Sequence, residues 1–160
     1  MQEPSPSWIA EEDRIRIRNL RPEDLEAVVD LDARHVGRRR DEYFRLKLEE
    51  NLRATGIRIS LAAEVEGNFA GFLLARVFYG EFGKTEPSAV LDTLGVHPLY
   101  EGQGVGRALL AQLERNLVSL GVSRLETVVD WDHLRLIRFF HQAGFRPAAR
   151  LALDLSLKPR

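Results

Sequence analysis

The chain has no cysteine among its 160 residues. That absence excludes disulfides, thiolate metal sites and a cysteine nucleophile together. An excess of charge of either sign is missing too: 23 basic residues face 24 acidic ones, a net charge of −1, so nothing in the balance calls for nucleic acid or an anionic membrane as partner. There is no long apolar run. The longest, Phe69 to Tyr79, is interrupted by Arg76 and is too short to span a bilayer. The leader from Met1 to Asp13 lacks the basic start and apolar core of a signal peptide, and a cytoplasmic location is expected by default. With 44% apolar and 29% charged residues, the chain reads as that leader, 1–13, followed by one globular domain, 14–160.

Periodicity supplies the elements. Arg14 to Leu20 alternates arginine with Ile15 and Ile17, as a half-buried strand does. Pro22 suits a first helical position, with Glu23 and Asp24 in the acid-favouring first turn, and predicts a helix to about His35. A second helix is expected from about Arg40 to Ala54, burying Phe44, Leu48 and Leu52 at spacing four and leaving Tyr43 off that face. Ile57 to Glu66 and Phe69 to Phe78 read as strands joined by a Gly67-Asn68 hairpin turn, and Val90 to Val96 as the next strand. A helix to Leu120 follows, with Leu110, Leu113, Leu117 and Leu120 as its stripe and Gly121 after its end. Leu125 to Val129 predicts another strand, Asp132 the N-cap of a helix to Ala143, and the alternating Leu151, Leu153, Leu155 and Leu157 a last strand. The expected fold is α/β (α+β): a mixed central sheet of about six to seven strands flanked by helices on both sides.

Between the strand ending at Val96 and its helix lies Glu101-Gly102-Gln103-Gly104-Val105-Gly106. A glycine-rich loop at a helix N-terminus presents backbone N–H groups where the dipole favours an anion, and here Gln103 through Arg107 are the natural donors to a phosphate or pyrophosphate. No Lys-Ser or Lys-Thr follows these glycines, so a P-loop is excluded. G-x-G-x-G with Arg107 next also departs from the dinucleotide fingerprint G-x-G-x-x-G.

The segment resembles the GNAT superfamily of acyl-CoA-dependent N-acetyltransferases, whose pyrophosphate loop reads [RQ]-x-x-G-x-[GA] after a strand ending in V-x-P, here Val96-His97-Pro98. The resemblance runs from about Arg14 to Leu157. It implies acetyl-CoA as co-substrate, bound by Gly102, Gln103, Gly104, Val105, Gly106 and Arg107. It also implies that Leu94, Gly95 and Val96 pair through their backbones with the pantetheine arm, the N–H groups of this segment serving as oxyanion donors. Glu101 departs from the family's Arg or Gln. In the family's N-x-x-A-x-x-x-Y-x-x-x-G-F, His133 replaces the asparagine and Phe140 the tyrosine that protonates the leaving thiolate, so water, Tyr100 or His141 is left to supply that proton.

With no cysteine, transfer to an amine must be direct. A lysine-like amine has a pKa of about 10.4 and needs a base. Asp92, two residues before Leu94 and four before Val96, projects to the same side of an unbroken strand and is the candidate; Glu64 and Glu81 are weaker ones. Phe78 to Gly83 suits either a cleft for an amine with an apolar body or a plain loop, and Arg38, Arg39 and Arg40 read as a solvated helix start. The expected activity is N-acetylation of a primary amine on a small molecule, a lysine or a protein N-terminus. The alternative is an acyl-CoA-binding module without catalysis. If the leucine-rich final strand lies at a sheet edge, it would offer its backbone to a second chain, and a homodimer is expected.

Overall fold

Alternation of apolar and charged residues places Ile15–Asn19 (β1) against Leu61–Val65 (β2), and β2 continues by hairpin into the long Asn68–Phe78 (β3). The computed structural model describes residues 14–53, 59–79, 83 and 85–158, with Leu52 described in its backbone only. The expected leader and Glu81 lie outside the described residues. Contacts gather the chain into two compact units, Met1–Val128 and Val129–Arg160, each treated by itself below.

In the first unit Ser88–Val96 (β4) pairs antiparallel with β3, and Leu125–Thr127 (β5) pairs parallel with β4. The result is a five-stranded mixed sheet in the order β1-β2-β3-β4-β5. The sheet has fewer strands than the six to seven expected, because residues 151–158 form no ladder. Helices Leu25–Val36 (α1) and Asp41–Arg53 (α2) cover one face, where Val28, Val29, Leu31, Phe44 and Leu48 pack with Phe72 and Leu74 of β3. Helix Val105–Ser119 (α3) covers the other with buried Val105, Leu109, Leu110, Leu113 and Leu117. Leu120, expected in that stripe, is 43% exposed because the helix has ended and the chain reverses through Gly121 at φ 74°.

Several boundaries differ from expectation for local reasons. The hairpin turn is Glu66-Gly67, one residue earlier than Gly67-Asn68: both residues take positive φ, 51° and 81°, the type I′ geometry that matches strand twist, and Asn68 is thereby free to pair with Val65. Pro22–Asp24 is a 3₁₀ turn ahead of α1. In the second unit, helix Leu134–Gln142 (α4) is preceded by His133 as its N-cap in place of Asp132, whose backbone carbonyl accepts from Leu134 N–H instead. The leucines expected in a last strand, Leu151, Leu153, Leu155 and Leu157, are exposed on a segment without regular secondary structure.

One charged cluster ties the start of the sheet to the start of α1. Arg18 on β1 donates twice to Asp24, at 2.7 and 2.8 Å, and once from Nε to Glu64 of β2 at 2.7 Å; the Arg21 N–H adds a bond to Asp24. Burial opposes ionisation of Asp24, but Arg18 and the Arg21 N–H outweigh it and hold the carboxyl below its usual range. Arg18→Met leaves two half-buried carboxylates facing one another and should cost about 3 kcal/mol. Because Asp24 titrates lower in the folded chain than in the unfolded one, its stabilisation is complete above the ordinary carboxylate range and fades as pH falls through the folded value. Denaturant melts should show a large gap between wild type and variant at about pH 7 that narrows at about pH 3. An equal gap at both would show that Arg18 acts through packing alone.

Candidate active site

The ladder between β4 and β5 is short. It runs from Ala89/Leu125 to Leu91/Thr127, where the Thr127 hydroxyl donates to the Leu91 carbonyl at 2.9 Å. From Asp92 to Val96, β4 continues along β3 with no partner on its other side among the described residues. The direction of its free groups follows from two bonds. His97 N–H donates to Ala70 of β3 at 2.8 Å, so by alternation Gly95 also faces β3, while the N–H and C=O groups of Leu94 and Val96 face the open side. The Val96 carbonyl confirms this orientation by accepting from His35 Nε2 at 2.7 Å.

Gly95 belongs here for packing reasons. A Cβ on it would lie 2.8 Å from Phe72 and 2.9 Å from Leu31, so the ring opposite and the α1 leucine occupy the space a side chain would need. Gly71, across the ladder, plays the same part on the other face: its Cβ would meet the Gly95 carbonyl at 2.8 Å and Val105 at 3.1 Å.

After Val96 the chain makes a 3₁₀ turn, Pro98–Tyr100, capped by His97 Nδ1, which accepts the Leu99 N–H at 3.2 Å. Burial, then Arg34 and His35 nearby, push the His97 imidazole below its ordinary range, consistent with a ring that must stay an acceptor. The glycine loop follows directly. Gly102 and Gly104 sit at φ 75° and 86°, the left-handed region, whereas Gly106 lies within α3. Gln103 departs from its expected donor role: its N–H bonds to Tyr100 at 3.4 Å and its amide to Leu99 at 3.0 Å, so it braces the loop. The first intrahelical bond is Ala108 N–H to Gly104, which leaves the N–H groups of Val105, Gly106 and Arg107 as the fan of the first turn, without partners among the described residues. Arg107 is exposed beside them.

The other candidates are placed as follows. Asp92 falls at a bulge: Leu74 pairs with Thr93 but Ala75 with Leu91, so Asp92 is the extra residue and the alternation that would align it with Leu94 and Val96 is interrupted. Its carboxylate is 13% exposed and lies 3.2 Å from Arg76 Nε, yet neither atom has a hydrogen-bond partner among the described residues. Glu64 is held by Arg18. Arg39 pairs with Glu26, Asp30 and Asp41, and Arg40 grips Asp32 with two bonds at 2.6 and 2.8 Å beneath Tyr43; these arginines fasten the α1–α2 connection where a solvated helix start was expected. Tyr100 stands against His97 with ring centroids 5.8 Å apart. In the second unit, described alone, Phe140 is buried between Phe139 and Phe145 at centroid distances of 5.3 and 5.0 Å, and His141 is exposed near Arg146. His35 is the residue that sequence reasoning missed: it reads as the last turn of a helix, and nothing local announces the strand it reaches. A depression of about 340 Å³ between Thr85–Ser88 and Ser123–Arg124 lies at the start of β4, the far end from Val96.

The model of the acetyltransferase (GNAT) family matches residues 17–145. Solved structures with similar folds include an aminoglycoside N-acetyltransferase, AAC(6')-Iy, in complex with CoA, at 21% identity and a TM-score of 0.74, covering 89% of this chain and 94% of that one. A ribosomal-protein-alanine N-acetyltransferase from Brucella melitensis biovar Abortus 2308 matches at 21% identity and a TM-score of 0.71, over 89% of this chain and 99% of that one. A transcriptional regulator from Bacillus halodurans C-125 matches at 19% and 0.74 over the same shares. At these identities the likeness establishes the fold.

Gly104 caps α3 with φ 86°, a conformation a β-branched residue does not tolerate. Gly104→Val should therefore abolish acetyl-CoA binding by calorimetry while far-UV circular dichroism stays nearly unchanged. Unaltered affinity in the variant would remove the loop from the site.

Proposed function

Because the chain belongs to the acetyltransferase (GNAT) family, we propose that it moves an acetyl group from acetyl-CoA directly to a primary amine within a ternary complex. The observation that carries this reading is the juxtaposition on one stretch of chain, Leu94 to Arg107, of backbone groups turned to the open side of β4 and a helix N-terminus with unpaired donors. A thioester and a diphosphate joined by an extended amide-bearing arm present complementary groups in that order.

The first-turn N–H groups of Val105, Gly106 and Arg107 bind the diphosphate, and Arg107 adds its charge. Leu94 and Val96 hold the arm through their backbones, and their N–H groups receive the negative charge that develops on the carbonyl oxygen as the amine nitrogen attacks. The amine forms its bond to the carbonyl carbon, the carbon–sulfur bond breaks, and the thiolate takes up a proton. With a thiol pKa of about 8.5 the thiolate leaves without a dedicated acid.

The proton of the acceptor ammonium goes to Asp92. The bulge turns this carboxylate out of the strand's regular alternation, and Arg76 holds it from the side. His35 is the second reading, favoured by its bond to the Val96 carbonyl: in the tautomer that donates from Nε2, Nδ1 keeps a lone pair close to the reacting segment. The acceptor itself is left at the level of a primary amine, a class that includes both the aminoglycosides and the protein alanine of the structural neighbours.

Thiol release from acetyl-CoA over a panel of amines tests the reading against that of a binding module. Acceptor-dependent release supports transfer, and saturable binding without release favours the module. With an active acceptor, Asp92→Asn should lower turnover by roughly 10²- to 10⁴-fold with little change in acetyl-CoA affinity. His35→Gln, which keeps a donor for Val96, should leave turnover within a few fold. Full activity in Asp92→Asn with loss in His35→Gln would move the base to His35.

A further inference from the structure

Within the first unit, one side chain occupies a backbone group that the cofactor's arm would need. His35 stands in the last turn of α1, and its Nε2 lies 2.7 Å from the Val96 carbonyl oxygen. A carbonyl oxygen only accepts, so Nε2 carries the proton and the tautomer is fixed. The ladder with β5 ends at Leu91, and the next residue's N–H, that of His97, turns to Ala70 of β3, so the Val96 carbonyl meets the imidazole on the open side of β4. The free chain thereby satisfies one of its own open groups.

On the footing of the acetyl-CoA reading above, we infer that His35 stands in for the pantetheine arm: it holds the Val96 carbonyl in the free chain and gives it up when the cofactor binds. An imidazole N–H and an amide N–H are neutral donors of the same kind. Paired extended chains lie about 4.8 Å apart, so an arm laid along β4 would bring an amide nitrogen to the place where Nε2 now stands. Ring and arm exclude each other there. The ring leaves by a change of its own rotamer, and α1 stays intact because Gly37, at φ 80°, already ends the helix two residues later. Binding at Val96 is therefore an exchange of one hydrogen bond for another. The diphosphate seat at the start of α3 makes no such exchange, since among the described residues its first-turn N–H groups have no occupant to displace.

Calorimetry of the full chain with acetyl-CoA, and with ADP, which keeps the diphosphate and lacks the arm, tests the exchange. His35→Ala should tighten acetyl-CoA binding by roughly 3- to 10-fold, the net worth of one hydrogen bond, and leave ADP binding unchanged. His35→Gln, which keeps a donor, should bind both ligands as wild type does. In proton NMR the Nε2–H signal of His35, assigned by its absence from His35→Gln, should be present in the free chain, persist with ADP and vanish at saturating acetyl-CoA. Unchanged acetyl-CoA affinity in His35→Ala overturns the exchange, and weakened affinity would make His35 a brace of the edge instead of its occupant. An equal gain for ADP, or an Nε2–H signal that survives saturating acetyl-CoA, overturns it as well. Wild type that binds no acetyl-CoA at all is a distinct result, which removes the cofactor reading and the exchange together.

Discussion

A parallel ladder that ran the full length of β4 would consume every backbone donor and acceptor on that edge of the strand. Here it stops at Leu91 and Thr127, and the hydroxyl of Thr127 closes the last carbonyl. Of the five residues that follow, Asp92 bulges out and the other four pair with β3 alone, so their other edge has no ladder partner among the described residues. The bond from His35 to Val96 shows how strongly such an edge attracts a donor. The 3₁₀ turn and glycine loop then carry the chain from that edge to the first turn of α3, whose own donors are uncommitted for a different reason, the geometry of a helix start. Two sets of backbone groups, largely without partners among the described residues, thus stand in sequence order along the stretch from Leu94 to Arg107.

Much of this was legible beforehand because it depends on local patterns. β1 follows from a period of two, α3 from one of 3.6, and β3 from an apolar run set off by a turn signal. The bulge at Asp92 was not, since Leu91-Asp92-Thr93 contains no glycine or proline to mark it and only the pairing with β3 reveals the extra residue. Nor was the Arg18, Asp24 and Glu64 cluster, whose members are 6 and 46 positions apart. The last strand shows the opposite limit. Its alternation was read as a strand, but a strand also needs a neighbour, and a period carries no information about that.

The near-neutral composition conceals an uneven use of charge. Arg18, Arg39 and Arg40 are each engaged by carboxylates that fix the connections into and out of α1. Gly37, in the left-handed region at φ 80°, ends α1 two residues after His35, and the Arg39 and Arg40 pairs follow directly on that turn.

The two glycines at adjacent steps of the β3–β4 ladder, Gly71 opposite Val96 and Gly95 opposite Phe72, have a geometric consequence for the layers on either side. Without a carbon on Gly71, Val105 settles directly onto the sheet, and without one on Gly95, Leu31 does so from the opposite side. The height of the first turn of α3 above the strand plane is therefore set by the missing methyl group of Gly71, and the depth of α1 on the other face by that of Gly95. Alanine at position 71 would lift the loop and the helix start together, whereas a change within the loop would alter its groups and leave its height alone.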